Sequence, residues 1–158
     1  MKRKILIPEI NLGQNDLPRW VSQVSRFLDS RTVLLLIGPV GSGKTTLVSI
    51  LGKARGFSEM ASPTFAIHHR YGSGHSKDFD HVDLYRLKDE DDLESTGFWD
   101  LFAVEQGLII VEWGNLLSEA SELPELKKIR SNQLYIAKRI TLLIRCVHEM
   151  FCSLFLIK

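Results

Sequence analysis

The sequence predicts an α/β domain of three layers, built on a mainly parallel sheet with antiparallel edge strands. Three stretches carry that expectation. The first is Thr32-Val33-Leu34-Leu35-Leu36-Ile37, an apolar run that reads as a buried strand; it leads into Gly38-Pro39-Val40-Gly41-Ser42-Gly43-Lys44-Thr45 and then into apolar positions at helical spacing. The second is Leu108-Ile109-Ile110-Val111-Glu112-Trp113, an extended apolar run that ends in an acid. The third is a pair of strand-like segments at residues 65–71 and 79–85, joined by a hairpin-like Gly72-Ser73-Gly74-His75-Ser76-Lys77.

The glycine stretch fits G-x-x-x-x-G-K-[ST] at every fixed position and has the required strand before it and helix after it. This is the phosphate-binding P-loop, and the fold it predicts is that of P-loop NTPases. Gly38, Gly41 and Gly43 carry no Cβ, so the loop can wrap closely and turn its N–H groups inward. The helix that starts near Lys44 adds about half a positive charge at its N-terminus. Lys44 reaches the β- and γ-phosphates, and the Thr45 hydroxyl suits a Mg²⁺ ion. Phosphate and Mg²⁺ are therefore the expected ligands of this loop, with Ser42 and Thr46 completing the phosphate-binding set.

The remaining elements follow in chain order. Met1-Lys2-Arg3-Lys4 is basic, but only Ile5-Leu6-Ile7 follows before Pro8, which suits a short first strand better than a secretory signal. Asp16-Leu17-Pro18 reads as a helix start with Asp16 as N-cap, and Trp20, Val21, Val24, Phe27 and Leu28 recur at helical spacing. Gly56 is placed to end the phosphate-binding helix. In Ser62-Pro63-Thr64, Thr64 is either a loop hydroxyl that senses the γ-phosphate or part of a common turn. His68, His69 and His75 are too irregularly spaced for zinc and read as solvated or structural. The acidic run at residues 88–94 suits a first helical turn, which Gly97 would close, and residues 98–102 form a further short turn. Core strands deliver their last residues to the carboxyl edge of the sheet, where ligands bind. Glu112 and Asp83 both end strands in this way, Glu112 to hold Mg²⁺ or orient water. Trp113 either covers a nucleotide base or packs.

With 158 residues, 44% apolar and 25% charged, the chain fits one soluble domain. A net charge of +1 gives no sign of bulk electrostatic binding to nucleic acid and leaves a local patch open. Cys146 and Cys152 fit neither a common metal spacing nor a disulfide framework, and read as reduced thiols of a cytoplasmic protein. The apolar end is interrupted by Arg145, His148 and Glu149, which argues against a membrane span.

Residues 38–46, Ser62-Pro63-Thr64-Phe65, His81-Val82-Asp83-Leu84-Tyr85-Arg86-Leu87, the acidic helix with Gly97, and Ile110-Val111-Glu112-Trp113 together resemble the TsaE (YjeE) family of bacteria, over roughly residues 15–125. These are ATPases required to make threonylcarbamoyladenosine in tRNA. The resemblance implies that Lys44 and the loop amides bind phosphate, and that Thr45 and Glu112 hold Mg²⁺. It implies that Thr64 lies in a switch-like loop, that Asp83 is needed for hydrolysis, and that Trp113 sits near the nucleotide. It further implies an ATPase that docks on a TsaD–TsaB pair and resets it between turnovers, meeting tRNA only through that pair and no membrane. Tyr85 and Arg86 are candidate partner contacts. The chain departs from the family pattern at Pro39, where an acid is usual, and at its end. Family members close with a strand pair; residues 134–136 and 139–143 are the candidates for it here. Residues 143–158 form a divergent tail that a helix, a strand or loosely ordered chain would satisfy, after a single domain that opens with a strand and connection at 1–14.

Two other classes stand beside this one. A small-molecule or nucleoside kinase would share the P-loop but bring an Arg-rich lid, which the sequence lacks. A nucleotide-gated binding module would share it with negligible hydrolysis.

Overall fold

The computed structural model describes residues 3–11, 15–28, 32–61, 63, 66–72, 78–102, 107–114, 140–147 and 151–157. Its elements run β1 (Arg3–Asn11), α1 (Leu17–Ser25), β2 (Thr32–Ile37), α2 (Lys44–Arg55), β3 (His68–Tyr71), β4 (Phe79–Asp83), α3 (Glu90–Ser95), a 3₁₀ helix (Phe98–Phe102), β5 (Leu108–Glu112), β6 (Ile140–Val147) and β7 (Phe151–Ile157). The strands form a seven-stranded sheet in the order β1-β7-β6-β2-β5-β4-β3. β6, β2, β5 and β4 run parallel. β3 lies antiparallel at one edge, and β7 with β1 antiparallel at the other. This is the α/β architecture the sequence predicts.

Side-chain alternation along the central strands divides the core into two layers. Leu34, Leu36, Leu108, Ile110 and Phe79 pack with Leu17, Trp20 and Val24 of α1 and Leu47, Val48 and Leu51 of α2. Val33, Leu35, Ile109, Val111 and Val82 pack on the opposite face with Phe98, against which Leu93, Trp99, Leu101 and Phe102 rest. The register pairs Val33 with Ile109 and Leu34 with Ile110, so like faces meet across β2 and β5.

Local chemistry sets the ends of the elements. Gly56 closes α2 with φ 101°, donating to the Lys53 carbonyl at 3.0 Å while Phe57 donates to Gly52 at 3.0 Å, the paired bonds of a Schellman motif. Asp89 caps α3 by accepting the Asp92 N–H at 2.9 Å, and the Asp92 carboxylate accepts from Lys88 N–H at 3.0 Å. The acidic run therefore works as a helix start. Asp16 precedes α1 as expected but makes no side-chain cap bond, because its backbone is already helical at φ −86°, ψ −20°.

Several boundaries differ from expectation. The first strand is longer than residues 5–7 and includes Pro8, which falls within the register shift between Ile7 and Ile10 on the edge strand, where a missing N–H costs no ladder bond. The strand expected from residue 65 begins at His68. Ala66 and Ile67 instead donate to the Pro63 carbonyl at 2.9 and 2.8 Å, with Ile67 at φ 60°, so the chain turns before it extends. The strand expected to reach residue 85 ends at Asp83, whose carboxylate accepts the Tyr85 N–H at 3.0 Å in an Asx-type turn. Residues 143–147 complete β6 and 151–157 form β7, so of the alternatives for the tail the strand is found. Cys146 and Cys152 are register partners across that pair. The candidate strand at 134–136, residue 139 and the connection at 73–77 lie outside the described residues. No helix of the described residues is long and apolar enough to cross a membrane.

Leu34 is fully buried between β5 and the α1–α2 layer. Leu34→Ala is expected to cost about 2–5 kcal/mol, read as a lower midpoint in urea unfolding without a change in slope.

Candidate functional site

The loop between β2 and α2 turns twice through left-handed backbone, at Gly41 with φ 78° and at Gly43 with φ 85°. A Cβ at Gly41 would meet nothing within 4 Å, so conformation rather than space demands glycine there. Gly43 occupies the N-cap position of α2 without a side chain to satisfy the first helical N–H groups, which leaves them to face a ligand. Thr45 and Thr46 stand exposed on that first turn, and Ser42 is buried beneath it.

Lys44 folds back into the loop and is 5% exposed. Its ammonium donates to the carbonyls of Gly38 at 2.9 Å and Pro39 at 2.8 Å, and lies 3.5 Å from Ser42 Oγ. The same Nζ sits 4.1 Å from the centroid of the Trp113 ring, a cation–π contact. Trp113 reaches it from φ 61°, immediately after β5, with its ring 4.9 Å from that of exposed Tyr85. Gly114 anchors this bend: its N–H donates to Leu36 O at 3.1 Å, and a Cβ there would lie 2.8 Å from Leu35 Cβ. A side chain at position 114 would push the end of β5 away from β2.

Parallel pairing brings the two strand-end acids together. Glu112 is register partner to Leu36 on one side and Asp83 on the other. Its Oε2 accepts from the Thr45 hydroxyl at 2.8 Å, across 67 residues of sequence. Its Oε1 lies 2.9 Å from His81 Nε2, and both side chains are nearly fully buried. Burial pushes the Asp83 carboxyl above the usual carboxylate range; the Tyr85 N–H draws it down, Glu112 raises it, and His81 and Lys44 lower it.

The candidates Gly38, Gly41, Ser42, Gly43, Lys44, Thr45, Thr46, Asp83, Glu112 and Trp113 thus meet at one edge of the sheet, while Thr64 lies outside the described residues. His81 is the site residue that spacing alone did not single out. Its sequence signals are its place at the head of the His81–Leu87 stretch and its position two residues before Asp83, on the same face of β4. His68 proves structural: its Nε2 lies 2.9 Å from buried Asp80, which also holds Arg70 at 3.0 Å and so ties β3 to β4. His75 lies outside the described residues.

A hydroxyl and a carboxylate within hydrogen-bond distance fit Mg²⁺, which takes one or two protein oxygens and completes its shell with phosphate and water. Among the described residues no group of three His, Cys, Asp or Glu side chains could hold a metal by itself. An ion here would therefore complete its shell with oxygens from outside these two side chains, such as phosphate or water.

The raised Asp83 carboxyl has a consequence for stability. The folded state takes up the proton at higher pH than the unfolded chain does, so this group favours folding below the ordinary carboxylate range and opposes it as pH rises through the folded value. Asp83→Asn is expected to be more stable than the parent near neutral pH, with the gap closing toward about pH 3 in denaturant titrations.

Residues 13–140 match the family model of TsaE, the threonylcarbamoyl adenosine biosynthesis protein. A TsaE protein of Synechocystis, described as a tRNA threonylcarbamoyladenosine biosynthesis protein, is 33% identical over 119 residues, covering 73% of each chain. One from Treponema pallidum is 34% identical over 122 residues, covering 73% of this chain and 83% of its own. Among solved structures, the crystal structure of YdiB from Bacillus subtilis matches 99% of this chain and 86% of that one with a TM-score of 0.58; at 21% identity this is a likeness of fold. With most of its length matched, glycine loop and both strand-end acids included, the chain belongs to the TsaE family, whose role is threonylcarbamoyladenosine biosynthesis in tRNA.

Proposed function

We propose that this protein is a Mg²⁺-dependent ATPase of the cytoplasm that docks on a TsaD–TsaB pair and hydrolyses ATP to reset it between rounds of tRNA modification. The observation that carries the reading is the 2.8 Å contact between Thr45 and Glu112, which sets a strand-end carboxylate against the start of the phosphate-loop helix. The amides of Gly41, Ser42 and Gly43 and the α2 N-terminus would cradle the β- and γ-phosphates. Lys44 would exchange the Gly38 and Pro39 carbonyls for phosphate oxygens, a trade of neutral acceptors for charged ones. Thr45 and Glu112 would hold Mg²⁺, which neutralises charge on the phosphates. Asp83, made more basic by burial, would orient the attacking water and draw its proton. Trp113 would release Lys44 as phosphate arrives and lie near the nucleotide, with Thr64 in the switch-like loop. Exposed Tyr85 and neighbouring Arg86 border this edge and would face the partner. tRNA would be met only through that partner.

Lys44→Ala is expected to weaken ATP binding more than about tenfold in calorimetry, since it removes charge-assisted bonds of about 1.5–3 kcal/mol. Unchanged affinity would remove the loop from nucleotide binding. Asp83→Ala should keep most ATP affinity, Glu112→Ala should keep the part that does not depend on Mg²⁺, and both should lose about 100-fold or more of the phosphate release measured with TsaD–TsaB present. ATP turnover to ADP that needs a small acceptor in place of the partner pair, with the phosphoryl group found on that acceptor, would favour a kinase.

A further inference from the structure

His81 lies outside the phosphate loop and touches neither it nor Thr45 in any described contact, yet it is among the most buried polar side chains of the chain. Its side chain is 1% exposed and that of Glu112 is 2%. Nε2 meets Glu112 Oε1 at 2.9 Å. Nδ1 is buried with no hydrogen-bond partner among the described residues. The tautomer with its proton on Nε2 satisfies the pair and leaves no N–H unpaired, so the ring acts as a donor to the carboxylate.

The terminal torsion of a glutamate is broad and nearly two-fold, so a carboxylate with one free oxygen turns easily. Glu112 has neither oxygen free. Oε1 is taken by His81, and this directs Oε2 at the Thr45 hydroxyl, 2.8 Å away. We infer that His81 is a positioning residue for the cation site: its Nε2 fixes the Glu112 carboxylate so that Oε2 and the Thr45 hydroxyl face one ion together. This rests on reading Thr45 and Glu112 as the Mg²⁺ pair. His81 reaches the site only through Glu112. β4 brings it there, because His81 and Asp83 share one face of the strand, register partners to Ile110 and Glu112.

The test compares ATP affinity in Mg²⁺ with affinity in EDTA, by calorimetry, for the parent, His81→Leu and His81→Gln. Leucine fills the space without a donor, and glutamine places an amide N–H near the position of Nε2. His81→Leu should keep the parent's affinity in EDTA and lose about tenfold of the gain that Mg²⁺ brings, the usual effect of removing a partner behind a metal ligand. His81→Gln should restore most of that gain. In metal-free crystals of His81→Leu, Glu112 Oε2 should have left Thr45. A folded His81→Leu with the parent's full Mg²⁺ gain overturns the inference while leaving the ATPase reading intact. So does an equal loss in EDTA and Mg²⁺, which marks a purely structural residue. If His81→Leu does not fold, His81→Gln against His81→Asn decides, since asparagine places its amide near Nδ1; equal Mg²⁺ gains overturn the assignment. A parent protein that binds ATP equally in EDTA and Mg²⁺ removes the Thr45–Glu112 cation site itself, and His81's role with it.

Discussion

The Glu112 carboxylate is where three elements of the chain are held together. It ends β5, accepts from Thr45 at the start of α2 and meets His81 of β4, while its backbone carbonyl accepts the Leu84 N–H at 3.3 Å. A nearly fully buried carboxylate is costly unless each oxygen finds a donor. That cost ties the phosphate loop to the sheet edge, because moving α2 away from β5 would strip a donor from a buried charge. It also makes the register of β5 between β2 and β4 exacting, since a slip of one residue would turn Glu112 into the opposite layer.

Around this anchor, opposite charges stand close. Lys44 is held by two loop carbonyls and a tryptophan face, and its charge acts on Asp83. Asp83 is partly buried beside Glu112, which raises its proton affinity. Lysine, hydroxyl and carboxylates thus stand together at one sheet edge. Such an arrangement suits a phosphate and a cation arriving together better than either alone, as the electrostatic stabilisation of phosphoryl transfer requires.

The far side of the sheet obeys different constraints. The family match spans residues 13–140, so β1 lies before it and nearly all of β6 and β7 after it, while every described site residue lies within it. The fold likeness to YdiB nonetheless covers 99% of the chain. What β6, β7 and β1 supply is geometric: β6 pairs with β2 along its whole length, and β7 and β1 extend the sheet beyond it. Many sequences satisfy that requirement, provided they extend and tolerate an edge. Pro8 is tolerated at one bulge of such an edge.

The sequence by itself determined the local chemistry. Glycines at 38, 41 and 43 before a lysine and a threonine, an apolar run ending in an acid, the acidic helix start at residues 88–94 and the closing Gly56 are all decided within a few residues, so they were legible. The tertiary structure alone decided which groups meet. That Glu112 bonds Thr45, that His81 holds the other oxygen, that Trp113 lies over Lys44 and that Gly114 presses on Leu35 depend on which strands pair and in what register. Turns that moved expected strand ends, at Ile67 and Asp83, follow from bonds to Pro63 and Tyr85 that compete with extension. Spacing along the chain carries local backbone preference, whereas register is set by burying two apolar faces at once, and only the assembled sheet satisfies both.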